Sequence, residues 1–229
     1  MNEIWIGIAA VLGTIVCYQI GQFVHKKWPV SFTAPVIVAT PIVIIFLLSF
    51  DIPYETYMIG GEWINQLLGP AVVALAYPLY QHWSTLKKLT VPLLSGTLVG
   101  AFVGVASGML LAVWADVDGA IFYSLLPKNA TTAVAMDVAV SLGGVGSLAA
   151  VFVMIAGVGG VMISSFVFKL FGPVDSIGRG IGIGSASHAI GTASAMENSE
   201  LEGSIATIAM VVSAVAVSII VPLLVMVFM

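Results

Sequence analysis

Two short segments of this chain carry the residues best suited to holding a small ion, and the two follow one pattern. Lys128-Asn129-Ala130-Thr131-Thr132-Ala133-Val134-Ala135-Met136-Asp137 is answered 60 residues later by His188-Ala189-Ile190-Gly191-Thr192-Ala193-Ser194-Ala195-Met196-Glu197. The shared core is Thr-Ala-x-Ala-Met-acid, and Gly146-Ser147-Leu148-Ala149 is answered by Gly203-Ser204-Ile205-Ala206. A Lys inside apolar sequence is by default a functional-site hypothesis, the alternative being an ammonium that snorkels to the interface. Asn129, Thr131 and Thr132 have the donors to bind a carboxylate, or to cap a helix start. His188, flanked by Ser185, Ser187 and Thr192, is of the type that changes charge near neutral pH; a neutral ring bonded to backbone is the competing reading. Asp137 and Glu197 close the motif. They are candidates for binding a coupling cation, with an aqueous boundary the favoured reading, and Arg179 joins them as a candidate for coupling or gating.

The elements that must position these residues are apolar. Only 18 of 229 residues are charged (7 Lys+Arg, 11 Asp+Glu), 8% against roughly 25% in a soluble domain, and 60% belong to the hydrophobic set. With a mean hydropathy of +1.13, there is too little polar surface to cover a soluble fold. Six runs hold no charge: 4–24, 33–50, 64–81, 90–114, 147–168 and 204–228. At 1.5 Å per residue each is read as a transmembrane helix across ~30 Å of hydrocarbon. Trp5, Trp28, Trp63, Trp83 and Trp114 fall at or just beyond run ends, where indole meets the headgroups. The first run is too long for a cleavable h-region and lacks a basic n-region, so it is read as a membrane helix. Lys26, Lys27, Lys87 and Lys88 alternate with loops bearing Asp51, Glu55, Glu62, Asp116 and Asp118, which predicts those Lys inside and the N-terminus outside a bacterial cytoplasmic membrane.

The expected fold is therefore an all-α polytopic membrane protein, a single integral membrane domain over 1–229. A four-helix part spans 1–115 and a repeat-containing part, with the candidate site, spans 116–229. The two leftover segments, about 119–146 and 177–203, read as broken or re-entrant helices. Pro127 disfavours helix at Leu126. From Ile181 to Met196 eleven of sixteen residues are Gly, Ala, Ser or Thr, a surface for helix packing rather than lipid. Breaks are expected near Asn129 and His188. If both segments are hairpins the repeats are inverted, because one span separates them; if both cross, the repeats are parallel. Hairpins place all six loop cations, Lys169 and Arg179 included, on one side, and the charge rule favours them.

Inverted repeats with broken helices meeting at the midplane suit a secondary transporter, in which half-helix N-termini face an anion. Nucleic acid is excluded by the -4 net charge and the lack of a cation cluster beyond two. An enzyme is not expected: no metal-ligand spacing, Gly-x-Ser-x-Gly or complete phosphate loop occurs, and no metal or cofactor is implied. Cys17 is the single cysteine and offers no intrachain disulfide.

The chain resembles the LrgB/CidB family, whose plant relatives are plastid glycolate/glycerate transporters. The likeness rests on Gly69-Pro70-Ala71-Val72-Val73-Ala74-Leu75-Ala76-Tyr77-Pro78-Leu79-Tyr80, Leu126-Pro127-Lys128 with Thr131-Thr132, Gly143-Gly144, Arg179-Gly180, Ser185 through Thr192, and Glu202-Gly203. Family members commonly carry Pro after the Thr pair, where this chain has Ala133. The resemblance implies one of two functions. The first is a carrier of pyruvate, glycolate or a similar monocarboxylate. The second is an antiholin- or holin-like protein that modulates murein hydrolases and autolysis with an LrgA/CidA-type membrane partner. Helix breaks and an enclosed Lys favour the carrier, working by alternating access with possible proton coupling, and a homo-oligomer is expected.

Overall fold

A computed structural model describes residues 2–28, 33, 35–67, 70, 73–74, 76–171 and 175–228. Among these the chain is helical without strands, as apolar surroundings demand, since only a helix satisfies its own backbone polar groups there. The helices are α1 (Asn2–Lys27), α2 (Pro35–Ser49), α3 (Tyr54–Asn65), α4 (Ala76–Gln81), α5 (Trp83–Lys88), α6 (Thr90–Trp114), α7 (Gly119–Leu125), α8 (Thr132–Ser141), α9 (Gly146–Leu170), α10 (Ser176–Asn198) and α11 (Glu200–Phe228). A 3₁₀ turn, Leu126–Asn129, joins α7 towards α8.

Four of them, α1, α6, α9 and α11, are long and apolar enough to cross a membrane. The other two of the six expected spans do not form single helices of that length among the described residues. The run 33–50 yields α2, whose 15 residues reach only about 22 Å. The run 64–81 is not one helix among the described residues: α3 ends at Asn65 and α4 begins at Ala76. Absence of charge registers hydropathy, not continuity: α3 ends in a turn in which Gln66 N–H donates to Glu62 O and Leu67 N–H to Ile64 O. Gly69, Ala71, Val72 and Leu75 of the family-like stretch lie outside the described residues.

The chain forms two compact units, Met1–Ala76 and Tyr77–Met229. In the first, α1 packs on α2 and α3 through small residues: a Cβ at Gly60 would strike the Gly7 carbonyl, and one at Gly21 would lie 2.5 Å from the Pro35 oxygen. The Thr14 and Tyr57 hydroxyls are 2.9 Å apart. Beside them opens an apolar cavity of about 590 Å³ with Ala9, Gly13, Cys17, Leu47 and Tyr57 in its wall.

In the second unit α6, α9 and α11 form a frame around two folded-back elements. The α6 C-terminus stops at Asp116, φ 50°, where Val117 N–H donates to Ala112 O and Asp116 N–H to Val113 O, a left-handed cap. The first element is α7, the 3₁₀ turn and α8. Were it straight, Gly144 would lie about 30 Å beyond Ser124. Instead Val145 N–H donates to Ser124 Oγ at 2.7 Å, and a Cβ on Gly144 would be 2.9 Å from Ser124 N. Residues 118–145 are therefore a hairpin with its tip at Lys128–Thr131.

The second element, α10, reverses at His188 (φ 49°, ψ -135°). Arg179 and Asn198, about 28 Å apart in a straight helix, both reach the carboxylate of Glu202. Gly191 returns onto Ile183, its would-be Cβ 2.9 Å from the Ile183 oxygen.

The two hairpins occupy opposite halves of the frame. Along α11, Gly184 packs on Ala206, Thr192 meets Met210, Ser213 meets Asn129, and Ala214 to Val221 share a core with Phe122, Leu126 and Val138 of the first hairpin. Along α6, Gly96 faces Ile181, Gly100 faces Ser185, Gly104 faces Asn129 and Gly108 faces Lys128. Both frame helices pass from the second hairpin to the first, so the hairpins enter from opposite ends and their tips meet at mid-length.

Candidate substrate site at the hairpin tips

Lys128 and Asn129 end the 3₁₀ turn, where Pro127 has no amide to continue a helix, and Ala130 and Thr131 are extended (ψ 172° and 153°) before α8 starts. The half-buried Lys128 reaches sideways to α6, and Nζ donates to the Gly104 carbonyl at 2.8 Å. Gly108 leaves the space for the ammonium, since a Cβ there would collide with Nζ. Asn129 is buried with its amide against Gly104, where a Cβ would lie 2.5 Å from Nδ2. Its carbonyl accepts from Ser213 Oγ at 3.1 Å, which pins the tip to α11.

From the other end comes His188, only 3% exposed, its ring facing the Asn129 backbone and within electrostatic reach of Lys128. Its carbonyl accepts from Thr192 Oγ1 at 2.8 Å. The backbone conformation at His188 resembles the first central residue of a type II′ turn, ordinarily a glycine position, and holding another residue there stores roughly 1–3 kcal/mol. Ser185 Oγ donates to Ile181 O at 2.7 Å and lies against Gly100. Ser187, 1% exposed, points its hydroxyl at Gly160 of α9.

Four buried polar atoms here make no hydrogen bond of good geometry within the protein: Asn129 Oδ1, Ser187 Oγ and both nitrogens of the His188 ring, which faces the Asn129 backbone. Buried polar groups in folded proteins are nearly always satisfied, so such a cluster marks a place for water or ligand. The α8 N-terminus adds free amides, because the Thr131 side chain makes no cap bond to them. One ammonium, one imidazole, neutral donors and a half-helix N-terminus can together hold a small anion.

Of the sequence candidates, the structure brings Lys128, Asn129, Thr131, Ser187, His188 and Thr192 to the two tips, with Ser185 one turn away along α6. Thr132, Asp137 and Glu197 are exposed. Arg179 lies at the far end of the second hairpin, paired with Glu202. Two sets of residues escape the sequence reading. The glycines at 96, 100, 104 and 108 repeat every four residues on one face of α6, a legible spacing for close helix approach. Glu202 enters it only as part of a family-like dipeptide, although Ser199-x-x-Glu202 has the form of a capping box.

The LrgB-like family model matches residues 14–227. A Bacillus subtilis protein, "Uncharacterized protein YxaC", is 44% identical over 228 residues, covering 100% of this chain and 99% of its own. "Holin-like protein CidB" of Staphylococcus epidermidis is 33% identical and that of Staphylococcus aureus 32%, each over 228 residues and the whole of both chains. No solved structure matches the chain. A family match across nearly all of the sequence, with whole-length relatives at this identity, makes the chain a member of the LrgB-like family of membrane proteins.

Proposed function

We propose that this protein is a carrier that moves a small monocarboxylate, such as pyruvate or glycolate, across a bacterial cytoplasmic membrane by alternating access. The observation that carries the reading is the meeting of two oppositely entering hairpin tips, with Lys128 at one and His188 at the other, around buried polar atoms that make no hydrogen bond of good geometry within the protein. The returning arm of each hairpin bears the Thr-Ala-x-Ala-Met-acid motif, which supports reading the pair as an inverted repeat. The carboxylate takes the two Lys128 donors not spent on Gly104, together with the α8 amides, and His188 is the group able to carry a proton with it. Each hairpin in turn opens a path from its own end. The positive-inside count puts Arg179 and Glu200 on the cytoplasmic side and the N-terminus outside.

A second reading has its own support. Relatives matching the full length are named holin-like, so a role in membrane permeabilisation or in autolysis control, with a small LrgA/CidA-type partner or as a homo-oligomer, is the competing proposal. Liposome reconstitution decides between them. Saturable uptake of labelled pyruvate or glycolate without leakage of unrelated dyes supports the carrier. Leakage graded by dye size, alone or with the partner, supports the holin-like reading.

A further inference from the structure

The end of the second hairpin remote from its tip is tied by a single carboxylate. Glu202 occupies the third position of α11, after the cap residue Ser199, and its N–H donates to Ser199 Oγ at 3.1 Å. In a reciprocal capping box the Glu carboxylate would reach back to the Ser N–H. Here Ser199 N–H already donates to Ala195 O at 3.1 Å, so the carboxylate turns elsewhere. One oxygen accepts from Asn198 Nδ2 at 3.1 Å, on the returning arm; the other lies 3.4 Å from Arg179 Nε, on the entering arm. The Arg179 guanidinium also stands 5.6 Å over the Phe168 ring of α9. Gly180 allows this approach, since a Cβ there would be 2.8 Å from the Glu202 carbonyl. A carboxylate with 3% side-chain exposure needs its charge compensated, and Arg179 is the cation that does so.

We propose that Glu202 is the latch of the second hairpin: by binding both arms to α11 it holds Ser187 and His188 in place and keeps the path from that end closed. The first hairpin has no comparable ionic tie among the described residues; its ends are fastened by the neutral Ser124–Val145 bond. The two paths therefore differ in how they are held shut, and opening the second requires separating Arg179 from Glu202. This inference rests on the reading of the hairpin tips as the site, with Glu202 acting as a positioning residue for it.

The experiment uses the full chain with Cys17→Ser and Ser187→Cys, in membrane vesicles of either orientation, and a membrane-impermeant maleimide. Glu202→Gln and Arg179→Gln are each expected to raise the labelling rate from the Arg179 side by about tenfold, as a shifted closed-to-open equilibrium requires, and to leave labelling from the other side unchanged. The reversed pair, Arg179→Glu with Glu202→Arg, is expected to restore labelling to within about twofold of the parent, which a general loss of packing would not do. Parental labelling in both single variants overturns the latch, as does a reversed pair that labels like either single variant. If Glu202→Gln fails to fold, Arg179→Gln and the reversed pair still decide. A separate Arg179→Cys, Asn198→Cys protein, oxidised to link the arms, should lose saturable pyruvate uptake and regain it on reduction. Labelling that responds as stated, when the chain that keeps Ser187 shows no uptake, sinks the carrier and leaves the latch standing; normal uptake by that chain with unresponsive labelling sinks only the latch.

Discussion

Lys128 spends one of its three donors on a backbone carbonyl of α6 and keeps two. If those two hold the substrate, Lys128→Met, which keeps the length and loses the charge, should lower kcat/KM for uptake about 10- to 100-fold, the scale of a lost charge-assisted hydrogen bond. Lys128→Arg should not rescue it, because a guanidinium is wider than an ammonium and fixed in plane, and a Cβ on Gly108 would already lie 2.4 Å from Nζ. Radiolabel uptake into liposomes measures both. His188 allows a different test, one that separates side chain from backbone. Replacement by Ala or Gly removes the imidazole equally, but only Gly is at ease at φ 49°, ψ -135°. Thermal unfolding in detergent should find His188→Gly more stable than His188→Ala by roughly 1–3 kcal/mol, whereas in a continuous helix Gly would be about 1 kcal/mol worse. Both variants should lose uptake. The reverse order of stability would mean that the chain does not turn at His188.

At the scale of elements, adjacent glycines on α9 make opposite predictions. Gly159 has nothing within 4 Å of where an added methyl would sit, while at Gly160 that methyl would collide with Ser187 Oγ. Gly159→Ala should therefore be neutral or stabilising by up to about 1 kcal/mol, and Gly160→Ala should push the second tip off α9 and abolish uptake. Gly104→Ala should do the same to the first tip through Asn129. Melting curves and uptake on the three variants check the contrast. These contacts also show where sequence reading reaches and where it stops. The breaks at Asn129 and His188 were legible because Pro127 and a run of small residues are local signals, and α1, α6, α9 and α11 followed from long uncharged runs. The 64–81 run differs because an uncharged stretch registers mean hydropathy and not the turn at Gln66–Leu67 that ends α3. Exposure of Thr132 was not legible from composition, since it depends on which face the half-helix turns to a neighbour. The partner of Arg179 was hidden for the same reason: Glu202 lies 23 positions further along the chain, and only the reversal at His188 places the carboxylate between the two arms.

At the scale of the whole molecule, what distinguishes this fold from a bundle of self-associating helices is that both ends of each hairpin lie at the same end of the α6–α9–α11 frame. The first hairpin begins at Asp118 and returns at Gly144, beside Ser124; the second begins at Asp175 and returns at Ser199, beside Glu202. In a membrane this requires positions 118 and 143 to share one side and positions 175 and 200 to share the other, with the single span α9 between them. Two crossing elements would instead put 118 and 143 on opposite sides, and likewise 175 and 200. Single cysteines at Asp118, Gly143, Asp175 and Glu200 in a Cys17→Ser chain, labelled with impermeant maleimide in vesicles of both orientations, should sort as 118 with 143 and 175 with 200. The pair 175 and 200 should react from the cytoplasmic side, where Lys169 and Arg179 belong by the positive-inside rule. Any split within a pair would dismantle the opposed hairpins, and with them the reason for placing an anion site between Lys128 and His188. The holin-like reading would then be left as the better account, because self-associating helices need no paired tips at all.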